Sequence, residues 1–582
     1  MLKIEDASFF IDRFTESGCQ TERIIVRLMQ FQLLRMHKDI RSRLLLITSL
    51  LILFFSLNSY SQKYDKYWVF FKDKPDTNFD VYAYFDSKAI ERRMLQDLPL
   101  YDWTDLPVSS KYLTQVQENC MQLKMHSRWF NAAVVIATED QIARLSILSF
   151  IDRIELSYKL DVQVASHENL ENLMISDDED DEDLRLLEKQ TARMGADLFA
   201  SKGYTGKGIR IAIFDVGFNG ANEHPAFHHI FSRNGVLKTW DFVKNEESVW
   251  KGGTHGTAVW SCIAGKLKNR WAGLASESDF LLARTEIGNK EPFSEEENWI
   301  AAAEWADKNG ADIVNSSLGY TDTRYFPRHM DGKTTYITRG ANMAARKGML
   351  IVNAIGNEGE SAWHIMGAPA DADSVLSVGG VAPCCNSHIN FSSYGPTRDM
   401  RLKPNVCAQG RVFCANPNGD EAADGTSFAS PLAAGFAACA WQAKRDLKAM
   451  DLFKALESSG HLYPYFDYAH GYGVLSAKRF LEGIQDSSTF EIQRTTVTSD
   501  DGISSEIFNV VVKTFDLKET EMNDSHYMYY SIMNPKGILD EYYVINVIQA
   551  IPMSFNVNAY PKGSKFRASY KGNMQEITFI NE

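Results

Sequence analysis

Hydrophobic residues change their spacing several times along this chain, and each change marks a different kind of element. Between Lys63 and about Leu160, the strand-like KYWVFF and the apolar, β-branched WFNAAVVIA alternate with the helical periods YLTQVQENCMQL and EDQIARLSIL. That order over so short a span predicts a small α+β module. From Lys189 to Gln485 the pattern becomes a series of short, continuous apolar runs. They are GIRIAIF (Gly208 to Phe214), DFLLAR (Asp279 to Arg284), ADIVNSSL (Ala311 to Leu318), GMLIVNAI (Gly348 to Ile355) and SVLSVGGV (Ser374 to Val381). Helical stretches such as EEENWIAAAEWADKNG separate several of them. Runs with no polar face predict strands of a parallel sheet covered by helices on both sides. After Asp486, period-two runs such as EIFNVVVKTF and YYVINVIQAI predict a small all-β unit. The fold class expected is therefore α/β, with a mostly parallel central sheet between a small α+β module and a small all-β domain.

Two further stretches set the domain limits. LLLITSLLILFFSL, Leu44 to Leu57, is uncharged but shorter than the roughly 20 residues that cross a bilayer. Arg41 and Arg43 precede it and Asn58-Ser59-Tyr60-Ser61-Gln62 follows, the order of a secretory signal peptide. Met36 opens a normal n-region, so residues 36–62 are expected to be the signal and 1–35 an unstructured upstream extension. The second stretch, SDDEDDED at Ser176 to Asp183, repels itself and predicts a solvated linker. The expected plan is then signal 36–62, α+β module 63–165, acidic linker 166–188, central domain 189–485 and β domain 486–582.

Composition narrows the class of protein. The chain has 582 residues, 45% of them hydrophobic, which suits two to four globular domains. A net charge of -14 argues against nucleic acid or an anionic membrane surface as partner. Eight cysteines are too few to replace a hydrophobic core. In an exported protein, disulfides among Cys384, Cys385, Cys407 and Cys414 are expected, with connectivity open.

In open parallel sheets, chemistry gathers beyond the carboxyl ends of the strands. Asp215 follows IRIAIF there, and His255 lies in GGTHGTAVWSCIAG, a glycine-rich loop opening a helix. Asn357 ends the GMLIVNAI run in AIGNEGE, and Ser427 opens the helical ADGTSFASPLAAG. Singly, each has a bland reading as a turn residue, a structural histidine or a helix cap. Jointly they supply a nucleophile, a base, a carboxylate to orient the base, and an oxyanion donor.

The order Asp, His, Ser and the motifs DVGF, THGTAV, VNSSLG, GNEG and GTSFASP resemble the catalytic domain of the subtilisin-like serine proteases, the subtilases. That resemblance spans Lys189 to Gln485. It implies that Asp215 orients His255, His255 is the general base and acid, and Ser427 is the nucleophile. Asn357 and the Ser427 backbone N–H would form the oxyanion hole. Ser317, Leu318 and Gly319 would be the edge that pairs with substrate backbone. Two positions depart from the family, Val216 where Thr or Ser is usual and Ala258 in place of a second histidine. FDSKAIERR, LPVSSKYL and SRWFNAAVVIAT resemble the inhibitory prodomain of secreted, Bacteroidetes-type subtilases.

The function expected is a secreted serine endopeptidase made as an autoinhibited preproenzyme. Its partners would be protein or peptide substrates and its own prodomain, with no nucleic acid and no membrane once the signal is removed. A monomer is expected, located outside the cell, in the periplasm or on the outer surface. The alternative is an inactive subtilase fold that binds peptides. A metal hydrolase built on His224, His228 and His229 is a weaker rival. The glutamate precedes the first histidine, and Pro225 interrupts the helix such a site needs. No cofactor is expected for catalysis; the family often binds structural calcium, but no loop here assigns its ligands.

Overall fold

The computed structural model describes residues 63–75, 78–158, 179–288, 293–322, 324–483, 490–498, 504–512, 527–546, 553–570 and 573–579. The expected extension 1–35 and signal 36–62 lie outside the described residues. All elements below belong to one compact unit, Asp65–Glu582.

The N-terminal module is a four-stranded antiparallel sheet of β1 (Asp65–Phe71), β2 (Gln122–Ser127), β3 (Ala132–Ala137) and β4 (Ile151–Tyr158), in the order β2-β3-β1-β4. Helices α1 (Ser87–Leu95), α2 (Ser110–Glu118) and α3 (Glu139–Ser146) complete it. Alternate strand residues point to opposite faces. Val69 and Phe71 therefore enter the module's own core with Val116, Val135 and Leu145. Trp68 and Phe70 enter a second core with Trp299, Ile300, Ile337 and Ala341 of the central domain. The unbroken apolar run KYWVFF is thus explained by burial on both faces.

The central domain is a seven-stranded sheet, every pair of it parallel. Its strands are β5 (Arg210–Asp215), β6 (Val236–Asp241), β7 (Asp279–Arg284), β8 (Ile313–Ser316), β9 (Leu350–Ala354), β10 (Val375–Val381) and β11 (Val406–Gln409), in the order β11-β10-β9-β8-β5-β7-β6. Helices α5 (His255–Ala264) and α8 (Thr426–Ala443) cover one face. Helices α6 (Ser294–Lys308) and α7 (Tyr336–Arg346) cover the other. Both faces are covered, as the continuous apolar runs require. Helix α8 is buried almost all round, and its alanines and glycine let it lie close to β9, β10 and β11.

One expectation is corrected here. The acidic stretch expected to be linker becomes helix from Glu179, as α4 (Glu179–Ala192). Leu186 and Leu187 of this helix bury in the central core, and that packing carries a segment that charge alone would leave as coil. Asp183 also lies 3.5 Å from Lys268.

The C-terminal part holds two antiparallel sheets. Strands β12 (Phe490–Thr498), β13 (Ser504–Val512) and β16 (Met553–Asn556) form one. Strands β14 (Tyr527–Met533), β15 (Leu539–Asn546), β17 (Lys565–Tyr570) and β18 (Asn573–Thr578) form the other, in the order β15-β14-β17-β18. Tyr529 joins it to the central domain by packing on Leu462 and Tyr465. No described helix is long and apolar enough to cross a membrane.

Candidate active site

The chain leaves β5 for the edge strand β6, returns through β7, and crosses to β8 on the far side of β5. The order reverses at β5, and that reversal opens a crevice at the carboxyl ends of the strands. Asp215 is the last residue of β5 and is 1% exposed. Its Oδ1 accepts from Val216 N at 2.8 Å and lies 2.9 Å from Nδ1 of His255. A carboxylate on Nδ1 leaves Nε2 as the basic nitrogen of the ring. His255 is the first residue of α5 and stays partly open to solvent, its side chain 33% exposed. Gly256 allows this approach: a Cβ there would meet the Gly217 carbonyl at 2.4 Å and the Asp215 Cβ at 3.0 Å.

Ser427 is the second residue of α8 and is half-buried. Gly425, at φ +153°, precedes the helix, and no side chain caps it, so Ser427 is not a cap. Pro431 sits inside the helix four residues later. A proline has no N–H, so the Ser427 carbonyl has no i+4 donor. Ser317 supplies one instead, its hydroxyl donating to Ser427 O at 2.8 Å. The Ser427 hydroxyl in turn donates to Ser317 O at 3.3 Å, a long bond that leaves its oxygen lightly held. Asn315 stands behind both. Its Nδ2 donates to Ser317 Oγ at 3.1 Å, and its Oδ1 accepts from Ser430 Oγ at 2.8 Å. The carboxyl end of β8 and the amino end of α8 are therefore locked together. Leu318 is buried beside this junction, and Gly319 faces Gly367 and Ala368, where even a Cβ would make only an ordinary van der Waals contact.

Asn357 lies beyond the end of β9. Its Oδ1 accepts from both Thr426 N and Thr426 Oγ1 at 2.9 Å, which fixes the amide's orientation and leaves the NH₂ end to donate elsewhere. The two chain neighbours of Ser427 thus touch the other candidate groups. Thr426 binds Asn357, and the Phe428 ring lies 5.6 Å from the His255 ring. Neither departure from the family removes a polar contact to Asp215 or His255. Val216 contributes its backbone N–H to Asp215, and Ala258 sits in the core. Asn315, Ser430 and Thr426 were missed in the sequence; Pro431 four residues after Ser427 was the signal that a carbonyl there needs another donor.

The other candidates do not gather. His224 Nε2 lies 3.2 Å from Asp420, His228 is exposed, and His229 packs on Trp271. Among the described residues no group of three metal-ligating side chains forms. The one or two disulfides expected among Cys384, Cys385, Cys407 and Cys414 are not formed in this structure, where every described cysteine is a thiol. Cys407 and Cys414 are fully buried with their sulfurs on the carbonyls of His470 and Glu421.

The N-terminal module grips the central domain through buried charge. Asp307 on α6 pairs with Arg92 and, at 2.7 Å, with Arg93 of α1. Glu304, one turn earlier, accepts from Ser127 Oγ, Arg128 N and Trp129 N. Lys66 pairs with Glu297 at 2.8 Å, and Lys347 with Asp102 and Asp105 at 2.9 Å. Burial pushes the Glu297 and Glu304 carboxyls up, against the pull of Lys66 on the first and of Ser127 and Arg128 on the second. Burial also pushes Asp105 up, but Arg93 and Lys347 outweigh it and hold that carboxyl at about 2.

A parallel sheet with a carboxylate–histidine pair, a serine at a helix mouth and an oriented amide at its carboxyl edge defines the class, an α/β serine hydrolase. Comparison with known proteins narrows it. Residues 206–473 match the subtilase family, Peptidase S8, and residues 66–172 match the Peptidase S8 propeptide domain of Bacteroidota. A subtilisin of Bacillus pumilus is 32% identical over 41% of this chain and 78% of its own. Subtilisin DY of Bacillus licheniformis is 29% identical over 47% of this chain and 92% of its own. The subtilisin-like protease SBT6.1 of Arabidopsis thaliana is 31% identical over 42% of this chain, but the match spans only 22% of that longer relative. The chain belongs to the subtilase family of serine-type endopeptidases, with a propeptide domain ahead of the peptidase domain.

Proposed function

We propose that this protein is an exported serine endopeptidase that cuts peptide bonds through an acyl-enzyme on Ser427. In this reading His255 Nε2 takes the Ser427 proton as the hydroxyl attacks, and later returns one to the leaving amine. Asp215 holds the imidazole in the required tautomer and stabilises the imidazolium. The Asn357 NH₂ and the Ser427 N–H receive the oxyanion. Extended substrate pairs along Ser317, Leu318 and Gly319, displacing the Ser427 hydroxyl from the Ser317 carbonyl. The chain is made with a signal peptide and docked prodomain, leaves the cell, and works as a monomer on protein or peptide substrates. Catalysis needs no cofactor.

The observation that carries this reading is the 2.9 Å contact between His255 Nδ1 and Asp215 Oδ1. The carboxylate fixes the tautomer and orientation of a ring still partly open to solvent, the arrangement a general base needs. The test uses the processed protein and a fluorophosphonate probe. Wild type is expected to be labelled, Ser427→Ala is not, and chelators leave labelling intact. Turnover of Ser427→Ala should fall on the order of 10⁶-fold, the range known for such a loss in a related subtilisin. Asn357→Ala should lose about 10²–10³ in kcat, again the range of a subtilisin oxyanion donor. Labelling absent from the processed wild type would leave an inactive peptide-binding subtilase fold as the reading.

A further inference from the structure

Cys384 and Cys385 are adjacent in sequence, and the turn they occupy is unlike the sites of the other cysteines. Cys120, Cys262, Cys407, Cys414 and Cys439 are buried, whereas Cys384 is exposed and Cys385 half-buried. The turn closes between Ala382 N and the Ser387 carbonyl at 2.8 Å. Asn386 takes the left-handed conformation within it, at φ +54°. From outside, Arg193 holds the turn by donating to the carbonyls of Ala382 and Pro383. Both sulfurs are thereby brought to the same side, and Cys384 Sγ lies 2.7 Å from Cys385 Sγ. That is closer than two non-bonded sulfurs ordinarily sit, and only somewhat beyond the roughly 2.05 Å of a disulfide bond. Ser387 Oγ lies 3.1 Å from Cys385 Sγ and supplies a polar neighbour to that sulfur.

We propose that Cys384 and Cys385 are a redox site: a vicinal dithiol that closes reversibly to a vicinal disulfide. The thiolate of one cysteine attacks a sulfur of a low-molecular-weight disulfide, forming a mixed disulfide and expelling one small thiolate. The second protein thiolate then attacks the protein sulfur of that mixed disulfide. The Sγ–Sγ bond forms, the second small thiolate leaves, and the protons of both cysteines end on the two released thiols. The protein is oxidised by two electrons, and the small disulfide is reduced to two thiols. Proximity drives the second step, because the attacking sulfur is already in contact with its target. Burial and the neighbouring Cys385 raise the Cys384 thiol above its ordinary value, so closure is slower at neutral pH than the contact alone would allow.

The bond formed would be labile. Adjacent residues hold their Cα atoms about 3.8 Å apart across a trans peptide, below the roughly 4.4–6.8 Å usual for a disulfide. The resulting strain raises the reduction potential and suits a bond that forms and breaks. The site also has a route to the rest of the fold. The turn joins β10 to the segment carrying Ser392 and Ser393. Ser392 Oγ accepts from Gly380 N at 3.0 Å, and Ser393 Oγ accepts from Glu358 N, beside Asn357, at 2.9 Å.

The test uses the full chain carrying Ser427→Ala, which separates it from the peptidase reading. The folded protein is equilibrated in glutathione buffers of graded redox ratio, alkylated without unfolding, and digested for mass spectrometry. The expected result is loss of alkylation at Cys384 and Cys385 together, with their peptide two hydrogens lighter than the dithiol, reversed by dithiothreitol. Phenylarsine oxide should bind the reduced protein one to one and protect both cysteines, and Cys385→Ser should abolish both effects. Alkylation of both cysteines throughout the redox series overturns the proposal. So does a stable glutathione adduct on Cys384 alone, or a disulfide mapped to any other pair.

Discussion

Asp307→Asn tests whether the N-terminal module is held by buried charge or by its apolar face alone. The Asp307 side chain is fully buried, and the two arginines that share it are 1% and 2% exposed. Arg93 keeps a second carboxylate, Asp105, when Asp307 is neutralised. Arg92 does not: its remaining acceptors are the backbone carbonyls of Ala311, Lys347 and residue 307 itself, none of them charged. Removing one partner of a buried pair costs about 3–5 kcal/mol, because it strands the other charge. At 1.4 kcal/mol for each factor of ten, module affinity should fall by about two to three and a half powers of ten. The assay uses the full chain with Ser427→Ala and a specific protease site placed between 159 and 178. After nicking, the dissociation constant of the N-terminal piece is measured by fluorescence. Asp307 lies on the outer side of α6 once the module has gone, so the peptidase piece should keep its melting temperature within a degree or two. Adding Arg92→Met should recover part of the affinity, since the stranded guanidinium is then removed. Affinity of Asp307→Asn within threefold of the parent would refute the reasoning and assign docking to Trp68, Phe70 and their apolar partners.

Ser317→Ala removes the one donor that the described residues provide to the Ser427 carbonyl in place of the proline-blocked bond. A stability loss of about 1–3 kcal/mol is expected, read by urea unfolding of the Ser427→Ala background, and a wild-type midpoint would contradict it. Acid should destabilise the fold through His388 and His461, whose Nε2 atoms are buried without a hydrogen-bond partner. Burial lowers both rings to about 3. The unfolded chain binds their protons below about 6.5 and the folded chain does not, so stability is full above that pH and falls as pH drops toward 3. The slope should be about 1.4 kcal/mol per pH unit for each histidine, and His461→Gln should shallow the fall in melting temperature between pH 6.5 and 4.5. An unchanged slope would show that this ring does not stay neutral in the fold.

The sheet was readable because the pattern and the physics coincide. A strand covered on both faces is mostly apolar, and in GIRIAIF and GMLIVNAI only Arg210 and Asn353 interrupt the run. The same rule concealed something in KYWVFF. A continuous apolar run says that both faces are buried, but not that one of them is buried by a separate module. The acidic stretch was misassigned because charge density alone does not separate a solvated coil from the first turn of a helix. Asp215, His255, Asn357 and Ser427 could be proposed only as a set, since each alone has a commoner structural role. The contacts that place them, Asp215 to His255, Thr426 to Asn357 and Ser317 to Ser427, join residues from 40 to 110 positions apart, which no local pattern records.

Pro431 shows most directly why a site can hide in an apparent defect. On propensity alone, a proline at the sixth position of an 18-residue helix is a fault, costing a backbone bond and crowding the carbonyl one turn back. Here that carbonyl belongs to Ser427, and its lost partner is replaced by the Ser317 hydroxyl. The exchange turns an internal helix bond into a bond between α8 and the end of β8, the strand proposed to receive substrate. Asn315 then holds Ser317 and Ser430 from one amide, so the serine, its helix and the strand edge are tied together. A regular helix would satisfy its own carbonyl and leave the edge tied only by the hydroxyls of Ser427 and Ser430. Local rules fail at this position because the backbone group they would pair is used instead to fix the proposed nucleophile.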